Sequence, residues 1–441
     1  MARKKNVTDE ELARRIAEKL RQTGAEAYLV GGCVRDLLLG RAPKDFDVAT
    51  SVRPEELLRL FPAADRVGAH FGVVLVHDDG AQVEVATFRS DLEYEDGRHP
   101  VGVRFESDPR QDALRRDFTI NALFMDPVSG EVLDWVGGRA DLEARVIRAI
   151  GDPARRFRED HLRLLRAVRF AARLGFEIEP RTMATIRTEA RSIGSVSAER
   201  VRDEIARILT EGGARRGFEL LDATGLLHEV LPEIEAMKGV QQPPEYHPEG
   251  DVWVHTLMML GKMREPSVAL ALGVLLHDVG KPATFRVAER IRFDGHVEKG
   301  VELARGILAR LRFPNDVTEQ ALALVANHMK FMDVGRMRES TLKRFLRMPE
   351  FEDHMELHRV DCLSSHGDLG SYEFVRAKQR EMPPEVLKPP PLVTGRDLIA
   401  AGYRPGPAFG EALREVEDAQ LEGRVGTKEE GMELVRRRMG D

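Results

Sequence analysis

The sequence predicts an α+β fold, in which a small mixed β-sheet with helices comes first and a mostly α-helical chain follows. Between about residues 27 and 134, short runs rich in β-branched residues are bounded by turn signals, which is typical of strands. From about residue 140 onward, apolar residues recur at helical spacing with short Gly and Pro breaks. A chain of 441 residues has room for about two to four domains.

Composition excludes several classes of protein. The net charge of −7 indicates that any nucleic-acid site is a local basic patch and not a global field. No stretch approaches the length of apolar residues needed to cross a bilayer, so we expect no membrane partner. The two cysteines, Cys33 and Cys362, predict no disulfide framework. Together with an N-terminus that lacks a signal-type apolar core, this predicts a cytoplasmic protein.

The first elements form a strand, a glycine turn and a helix. Residues 8–22 have the pattern of a capped amphipathic helix, and the apolar run 27–30 is typical of a strand. Gly31 and Gly32 then predict a turn, and residues 34–39 predict the start of a helix. Glycines at such a turn allow backbone amides to approach phosphate, and a helix N-terminus favours an anion.

Asp45 and Asp47 are the most informative residues of the chain. Two carboxylates separated by one residue on a strand point to the same face. Such a pair offers two hard oxygen ligands, which is what Mg²⁺ needs when it is held against a nucleoside triphosphate. An isolated Asp-x-Asp is usually a solvated turn or strand edge. The glycine turn just before this pair favours the functional interpretation.

A predicted hairpin follows, with strands at residues 71–77 and 82–88 and a turn at residues 78–80. Glu84 faces away from the valines on either side of it and is our candidate third carboxylate. Residues 91–112 are polar and carry several Gly and Pro residues, so we expect a mobile loop there.

Two arginine-rich segments come next. Arg115 and Arg116 can grip phosphate oxygens, while Asp117 and Asn121 can bind a ribose or orient the arginines. A helix N-terminus with a surface Arg–Asp pair is the structural alternative.

The second segment places Asp160, Arg163 and Arg166 at three-residue spacing, which predicts one shared helix face, and Arg169 continues it. A carboxylate beside a guanidinium can imitate a base-pairing partner. A solvated, salt-bridged helix face is the alternative here.

These three segments, in this order, resemble the class II tRNA nucleotidyltransferase (CCA-adding enzyme) and bacterial poly(A) polymerase family over roughly residues 25 to 240. The resemblance implies a polymerase-β-like palm. It implies that Asp45 and Asp47 bind two Mg²⁺ ions, and that the tRNA 3′-hydroxyl attacks the α-phosphate of CTP or ATP in line, with no covalent intermediate. It also implies that Asp160 and Arg163 select C or A. The nucleotide-binding residues carried over are Gly31, Gly32, Arg35, Arg115, Arg116, Asp117, Asn121, Asp160, Arg163, Arg166 and Arg169.

A loop bears on which nucleotides are added. Family members restricted to CC addition characteristically lack a flexible loop between the palm carboxylates and the Arg-Arg-Asp motif. Here the stretch 93–100 is present, which argues against a CC-only enzyme. Complete CCA addition, addition of the terminal A alone and poly(A) synthesis all stay open.

The helical second half carries a set of histidines and aspartates. A His-Asp pair at the end of a buried helix, with a distant His and Asp, can complete a metal site. The order resembles the HD phosphohydrolase superfamily, which implies a divalent transition metal and, in extended members, a second one. The predicted ligands are His255, His277, Asp278 and Asp361, with His296 and His328 for a second metal.

We therefore predict four parts: a nucleotidyltransferase head (1–140), a helical neck and body (141–240), an HD domain (241–382) and a helical tail (383–441). The expected function is addition of CCA, or its terminal A, to tRNA 3′ ends from CTP and ATP. The HD domain adds a phosphohydrolase activity to this expectation. The competing interpretations are a poly(A) polymerase, an HD phosphohydrolase whose palm only binds RNA, and a non-catalytic tRNA-binding module.

Overall fold

The computed structural model describes residues 7–65, 72–91 and 102–440. The chain divides into two compact units, Met1–Pro232 and Glu233–Asp441. This division lies close to the predicted boundary between the body (141–240) and the HD domain (241–382), whereas the finer division into four parts stays a prediction. Within the described ranges, no helix combines the length and the apolarity that a bilayer crossing requires.

The first unit is built on a mixed sheet. Its strands are β1 (Ala27–Val30), β2 (Asp47–Thr50), β3 (Val73–Asp78), β4 (Ala81–Thr87), β5 (Arg89–Asp91), β6 (Val103–Phe105), β7 (Phe124–Met125), β8 (Val132–Leu133), β9 (Val146–Ile147) and β10 (Glu177–Ile178). Six of them form one sheet in the order β3-β4-β2-β1-β7-β8. The β2–β4 pair is parallel and the other neighbours are antiparallel. The predicted mixed sheet is therefore confirmed.

The sequence predicts helices at residues 8–22, from 34 and after about 140, and the structure adds α-helices between them, at Pro54–Leu60 and Pro109–Leu114. The helices of the first unit are α1 (Asp9–Gln22), α2 (Gly32–Leu38), α3 (Pro54–Leu60), α4 (Pro109–Leu114), α5 (Gly138–Ala144), α6 (Pro153–Glu159), α7 (Arg163–Leu174), α8 (Pro180–Glu189), α9 (Ala198–Thr210), α10 (Ala214–Thr224) and α11 (Leu226–Val230). Short 3-10 helices lie at Thr119–Asn121 and Ala190–Ser195. Parallel β2 and β4 need a crossover between them, and the chain that makes it contains α3.

Helix α1 forms because its cap and its apolar face agree. The Thr8 hydroxyl accepts a hydrogen bond from the Glu11 amide, and the Glu11 carboxylate accepts one from the Thr8 amide. The apolar face packs against β1, β2 and β4, and its buried residues are Leu12, Ala13, Ile16, Ala17 and Leu20. Burying one such leucine or isoleucine stabilises the fold by about 1.5–3 kcal/mol.

The predicted hairpin is confirmed, and the predicted loop after it is wrong at both ends. Asp79 and Gly80 join β3 to β4, both with positive φ, as a two-residue hairpin turn requires. Strand β5 already includes Asp91, and α4 begins at Pro109 because the Asp108 side chain caps its first turn. Pairing of β5 with β6 is a tertiary contact that composition does not reveal. The central residues 92–101, including the stretch 93–100, lie outside the described residues.

The second unit is helical apart from one small hairpin. Its helices are α12 (Pro232–Glu235), α13 (Val252–Lys262), α14 (Val268–Leu276), α15 (Lys281–Thr284), α16 (His296–Arg310), α17 (Asn315–Asn327), α18 (Glu339–Leu346), α19 (Phe351–Ser364), α20 (Gly370–Glu381), α21 (Pro384–Leu387), α22 (Gly395–Ala400), α23 (Pro407–Leu421) and α24 (Lys428–Met439). The hairpin pairs β11 (Arg286–Val287) with β12 (Ile291–Arg292), and a 3-10 helix lies at His328–Arg336.

Helix α14 is the centre of this unit. Eight of its nine residues are buried, and it packs against α13, α17 and α19. It ends directly before His277, as the sequence predicts. Nearer the C-terminus, α22 and α23 are joined by a turn that contains Gly402, with a φ of 93°, so this part of the predicted tail is helical. Their apolar residues, with those of α24, form a separate small core.

Candidate active site

Three carboxylates meet in a cleft of about 580 Å³ in the first unit. Asp47 opens β2 and lies opposite Glu84 on β4 in the parallel register. Asp45 lies two residues before the strand, so the prediction that both aspartates are within the strand is wrong for Asp45. The chain still alternates, because Phe46 between them is buried while Asp45 is exposed. All three carboxylates line the same cleft.

This gathering of negative charge changes the pKa of Asp47. Burial raises it most, Glu84 and Asp45 raise it further, and Arg116 opposes them, so the pKa is about 6. The ionised form of Asp47 is therefore costly without a cation. Hard oxygen donors crowded in this way fit a divalent cation such as Mg²⁺.

The glycine turn is required by close packing against the arginine segment. Gly31 has a φ of 77°, and a Cβ there would lie 2.9 Å from Nη1 of Arg116. No other residue fits without displacing that guanidinium. Gly32 begins α2, so the first turn of this helix lines the cleft beside the carboxylates.

Asp112, which sequence reasoning missed, holds the paired arginines. It is fully buried on α4, and its Oδ1 accepts hydrogen bonds of 2.9 and 2.7 Å from Arg115. Its Oδ2 accepts bonds of 3.2 and 3.1 Å from Arg116. Although burial alone would raise the pKa of Asp112, the two guanidinium groups lower it below its usual value. The signal in the sequence was its spacing of three and four residues from the arginines.

A hydrogen-bonded chain connects α2 to α7. Nη1 of Arg35 donates to Oδ1 of Asn121 at 2.7 Å, and Nδ2 of Asn121 donates to Oδ1 of Asp117 at 3.2 Å. Arg166 then donates two bonds, of 2.9 and 2.7 Å, to Oδ2 of Asp117. Burial would raise the pKa of Asp117, but Arg166 and Arg163 outweigh it and the pKa is about 2. Asp117 therefore orients an arginine of α7 and not the Arg115–Arg116 pair.

Asp160 does not share a helix face with the arginines, so that prediction is wrong. It lies in extended backbone between α6 and α7, because the chain must turn there before α7 begins at Arg163. Arg200 on α9 donates to both carboxylate oxygens of Asp160, at 3.1 and 2.8 Å. Nη1 of Arg163 donates to Glu159 and to the Arg156 carbonyl. Sequence reasoning missed Arg200, since only the tertiary fold brings α9 to this position.

The helix face of α7 is not a solvated stripe. Arg163 and Arg169 are buried, and Arg169 pairs with Glu204 at 2.6 Å and with Glu211 at 3.3 Å. The guanidinium groups of Arg35, Arg166 and Arg169 lie 5.4, 5.3 and 4.3 Å from the ring centre of Phe170. Buried cations on an aromatic ring form a rigid positive wall of the cleft.

The second unit brings all six predicted His and Asp ligands together. One group of donor atoms comes from His255, His277 and Asp361. A second comes from Asp278, His296 and His328, and a third, which shares His255 with the first, adds His247 and Glu249, which sequence reasoning missed. Asp278 lies between the first two groups, with Oδ2 3.0 Å from Nε2 of His277 and Oδ1 within 4.0 Å of the imidazoles of His296 and His328.

The four histidines point their Nε2 atoms into this cluster. Those four Nε2 atoms are buried without a well-aligned hydrogen bond, although the nearest carboxylate oxygens, on Asp361 and Asp278, lie 3.2 Å from that of His255 and 3.0 Å from that of His277. Buried imidazole nitrogens left in this state fit a divalent transition metal, because a metal ion takes the lone pair that water cannot reach. The described geometry therefore agrees with the predicted ligand set.

Three family models of known proteins match successive parts of the chain. The family model of the poly A polymerase head domain matches residues 27–148, that of the probable RNA and SrmB-binding site of polymerase A matches 175–238, and that of the HD domain matches 251–381. The fold and the cleft thus define a nucleotidyltransferase with a polymerase-β-like palm, followed by an HD domain with His/Asp metal-ligand groups.

Relatives that match almost the whole length of the chain identify its family. The chain is 35% identical over 425 residues to the CC-adding tRNA nucleotidyltransferase of Thermus thermophilus, covering 92% of each chain. It is 31% identical to the CCA-adding enzyme of Limosilactobacillus fermentum, covering 94% of this chain and 93% of that one. The solved structure of the Bacillus stearothermophilus CCA-adding enzyme in complex with CTP is 29% identical, with a TM-score of 0.75 and 97% of both chains covered. The chain belongs to the class II CCA-adding tRNA nucleotidyltransferase and poly(A) polymerase family.

Proposed function

We propose that this chain adds C, C and A to the 3′ ends of tRNA from CTP and ATP. The observation that carries this proposal is the meeting of Asp45, Asp47 and Glu84 in one cleft lined on another side by paired arginines. Carboxylates hold a cation, and arginines hold the triphosphate that the cation neutralises. The resemblance of the whole chain to CCA-adding and CC-adding relatives supports tRNA as the acceptor.

The three carboxylates are the proposed ligands of Mg²⁺ in the palm. Bound there, Mg²⁺ lowers the pKa of the attacking 3′-hydroxyl and neutralises charge on the phosphates. Arg115 and Arg116, fixed by Asp112, position the triphosphate for in-line displacement of pyrophosphate. The remaining proposed nucleotide contacts are Gly31, Gly32, Arg35, Asp117, Asn121, Arg166 and Arg169.

Base selection is assigned to Asp160 and Arg163. Cytosine and adenine both carry an amino group beside a ring nitrogen that accepts a hydrogen bond. A carboxylate accepts from the amino group while a guanidinium donates to the ring nitrogen. Uracil and guanine present a carbonyl where the amino group would be, which a carboxylate rejects. An Asp–Arg pair can therefore choose C and A over U and G without a nucleic-acid template.

A gel assay tests the proposal. Three tRNA transcripts, ending at the discriminator base, in C-C and in C-C-A, are each given CTP, ATP and Mg²⁺. We expect the first to grow by three nucleotides, the second by one and the third not at all. Long A tails on any of them would identify a poly(A) polymerase, and no Mg²⁺-dependent incorporation would leave only RNA binding.

A specific observation favours a second candidate, addition of CC only. The Thermus thermophilus relative that covers 92% of the chain is a CC-adding enzyme. Against this stands the presence of residues 93–100 in the sequence, the stretch that CC-only members characteristically lack. In the same assay, a CC-only enzyme would extend the first transcript by two nucleotides and leave the C-C transcript unchanged. Extension of the C-C transcript alone would instead identify an enzyme that adds only the terminal A.

A second activity is proposed for the second unit: metal-dependent hydrolysis of phosphate groups at RNA ends. Its support is the convergence of four buried imidazole nitrogens with the carboxylates of Asp278 and Asp361. Lys281 lies 2.7 Å from Asp278 and adds a positive charge suited to a phosphate. The test measures release of phosphate from a 2′,3′-cyclic or 2′-phosphate RNA end with Ni²⁺, Co²⁺ or Mn²⁺. No turnover with any of these metals would make the cluster a structural centre.

We also place the protein in the cytoplasm. Cys33 and Cys362 are both free and buried, which fits a compartment that keeps thiols reduced. Fractionation of cells that express a tagged full-length chain tests this.

A further inference from the structure

The four histidines of the metal cluster are anchored in two different ways. His277, His296 and His328 each direct Nδ1 to a backbone carbonyl three residues earlier, at distances of 2.8, 2.9 and 2.7 Å. These carbonyls belong to the helix or turn that carries the histidine, so no other side chain is needed. His255 is different, because its Nδ1 meets the carboxylate of Glu249 at 2.6 Å.

The loop before α13 is shaped to bring Glu249 to that position. Gly250 has a φ of 132°, which folds the chain back over the helix that follows. Asp251 caps α13 by accepting from the Val254 amide, and it also accepts from the Gly239 amide, so the turn is held from two sides. Glu249 thus reaches a histidine six residues ahead of it. Its side chain is 4% exposed.

Two histidines hold the Glu249 carboxylate in place. Its Oε1 also accepts from Nδ1 of His247 at 2.9 Å, so two imidazoles fix a single oxygen. Its Oε2 is buried without a hydrogen-bond partner. Burying a carboxylate with one unsatisfied oxygen costs free energy. A role in setting the orientation and basicity of a metal-ligating histidine accounts for that cost.

We propose that Glu249 is a positioning residue of the metal cluster. By receiving the Nδ1–H of His255 it fixes the tautomer whose Nε2 can bind a metal, and it aims this nitrogen at the group formed with His277 and Asp361, of which the Asp361 Oδ1 lies 3.2 Å away. A carboxylate acceptor makes an imidazole a better electron donor than a carbonyl acceptor does. The ion held by His255 is therefore the one whose affinity depends on a side chain outside the ligand set.

The test uses full-length protein stripped of metal and titrated with Co²⁺, followed by calorimetry and by the visible absorption of bound Co²⁺. We expect E249A to weaken binding at one class of site by about 10- to 100-fold. E249Q keeps an acceptor oxygen, so its affinity for Co²⁺ should fall less than that of E249A. General damage to the fold would not produce this partial rescue. E245A is the matched control, because Glu245 is an exposed carboxylate on the same loop, and it should match the wild type.

Three outcomes would overturn the proposal. Wild-type affinity in both E249A and E249Q would show that Glu249 does not act on His255. Loss of one whole equivalent of Co²⁺ in E249A and also in H247A would mean that Glu249 is itself a ligand, together with His247. The proposal rests on metal binding by the cluster, so a wild-type protein that takes up no Co²⁺ would overturn that earlier proposal as well, and this result is distinct from the other two.

Discussion

The two candidate sites use charge in opposite ways. In the palm cleft, Arg35, Arg116 and Arg166 each already have protein partners, while burial and then the neighbouring carboxylates raise the pKa of Asp47 to about 6. In the His/Asp cluster, the histidines are anchored through Nδ1, and their buried Nε2 atoms converge with the carboxylates of Asp278 and Asp361.

Each of the two sites therefore suits a different kind of ligand. Rigid, paired arginines are preorganised for an anion that enters and leaves, and oxygen ligands suit a cation that arrives with it. Imidazoles whose Nε2 atoms converge with carboxylates in buried groups suit an ion that stays bound between turnovers. Four sets of variants test this contrast between the palm cleft and the His/Asp cluster.

Loss of the palm carboxylates should have the largest effect. Replacing Asp45 or Asp47 with Ala should lower nucleotide incorporation by at least about a thousandfold, because charge on the triphosphate is then no longer neutralised. The gel assay measures this, and metal content of the His/Asp cluster should not change. D79N is the control, since Asp79 lies in the hairpin turn with a positive φ that Asn tolerates. Incorporation that survives in D45A and D47A would contradict the assignment.

Replacement of Asp112 should have the second-largest effect. Its replacement with Ala removes the shared partner of Arg115 and Arg116, so we expect a loss of about 3 kcal/mol in the free energy of unfolding. The Michaelis constant for nucleotide should rise more than the turnover number falls, because the arginines position the triphosphate. Urea unfolding and steady-state kinetics measure the two effects. D108N, on the exposed cap of the same helix, should change neither. An unchanged Michaelis constant in D112A would show that the arginines need no anchor.

The raised pKa of Asp47 predicts a pH-dependent cost in the metal-free protein. The folded state holds the proton more tightly than the unfolded state, so stability contributed by this group falls as pH rises from about 4 to about 6. At pH 7.5 in a chelator, D47N should therefore be more stable than the wild type by about 1–3 kcal/mol. Near pH 4 the difference should vanish. Equal stability of the two proteins at both pH values would show that the carboxylates do not repel one another in the absence of metal.

Arg200 should have the smallest and most specific effect. Arg200 binds both oxygens of Asp160, so R200A should leave that carboxylate with its weaker hydrogen bond from the Leu162 amide and reduce discrimination against UTP and GTP by about tenfold. Single-nucleotide incorporation with each triphosphate measures this. D160A and R163A should affect base choice more than tRNA binding, whereas R215A, an exposed arginine of α10, should affect neither. A large loss of RNA affinity with unchanged base preference would show that these residues bind RNA and do not select the base.

Sequence reasoning succeeded where a local pattern fixes local geometry. The helix at 8–22, the hairpin around Asp79 and Gly80, and the Gly31 turn were all predicted, because caps, alternation and glycine act over a few residues. It failed for Asp160, which lies before α7 and not on it. A three-residue spacing indicates a helix face only if the helix has already begun, and the chain turns between α6 and α7.

The sequence by itself determined the inventory of the two sites: the carboxylates, the paired arginines and the ordered histidines and aspartates. Residue type and order along the chain carry that information, because the chemistry of each site needs those groups. Only the tertiary structure decided the partners. Asp112, Arg200 and Glu249 became visible as anchors once folding had buried them beside the residues they hold. An anchor is defined by a contact and by exclusion of water, and neither property belongs to a residue until the chain has packed around it.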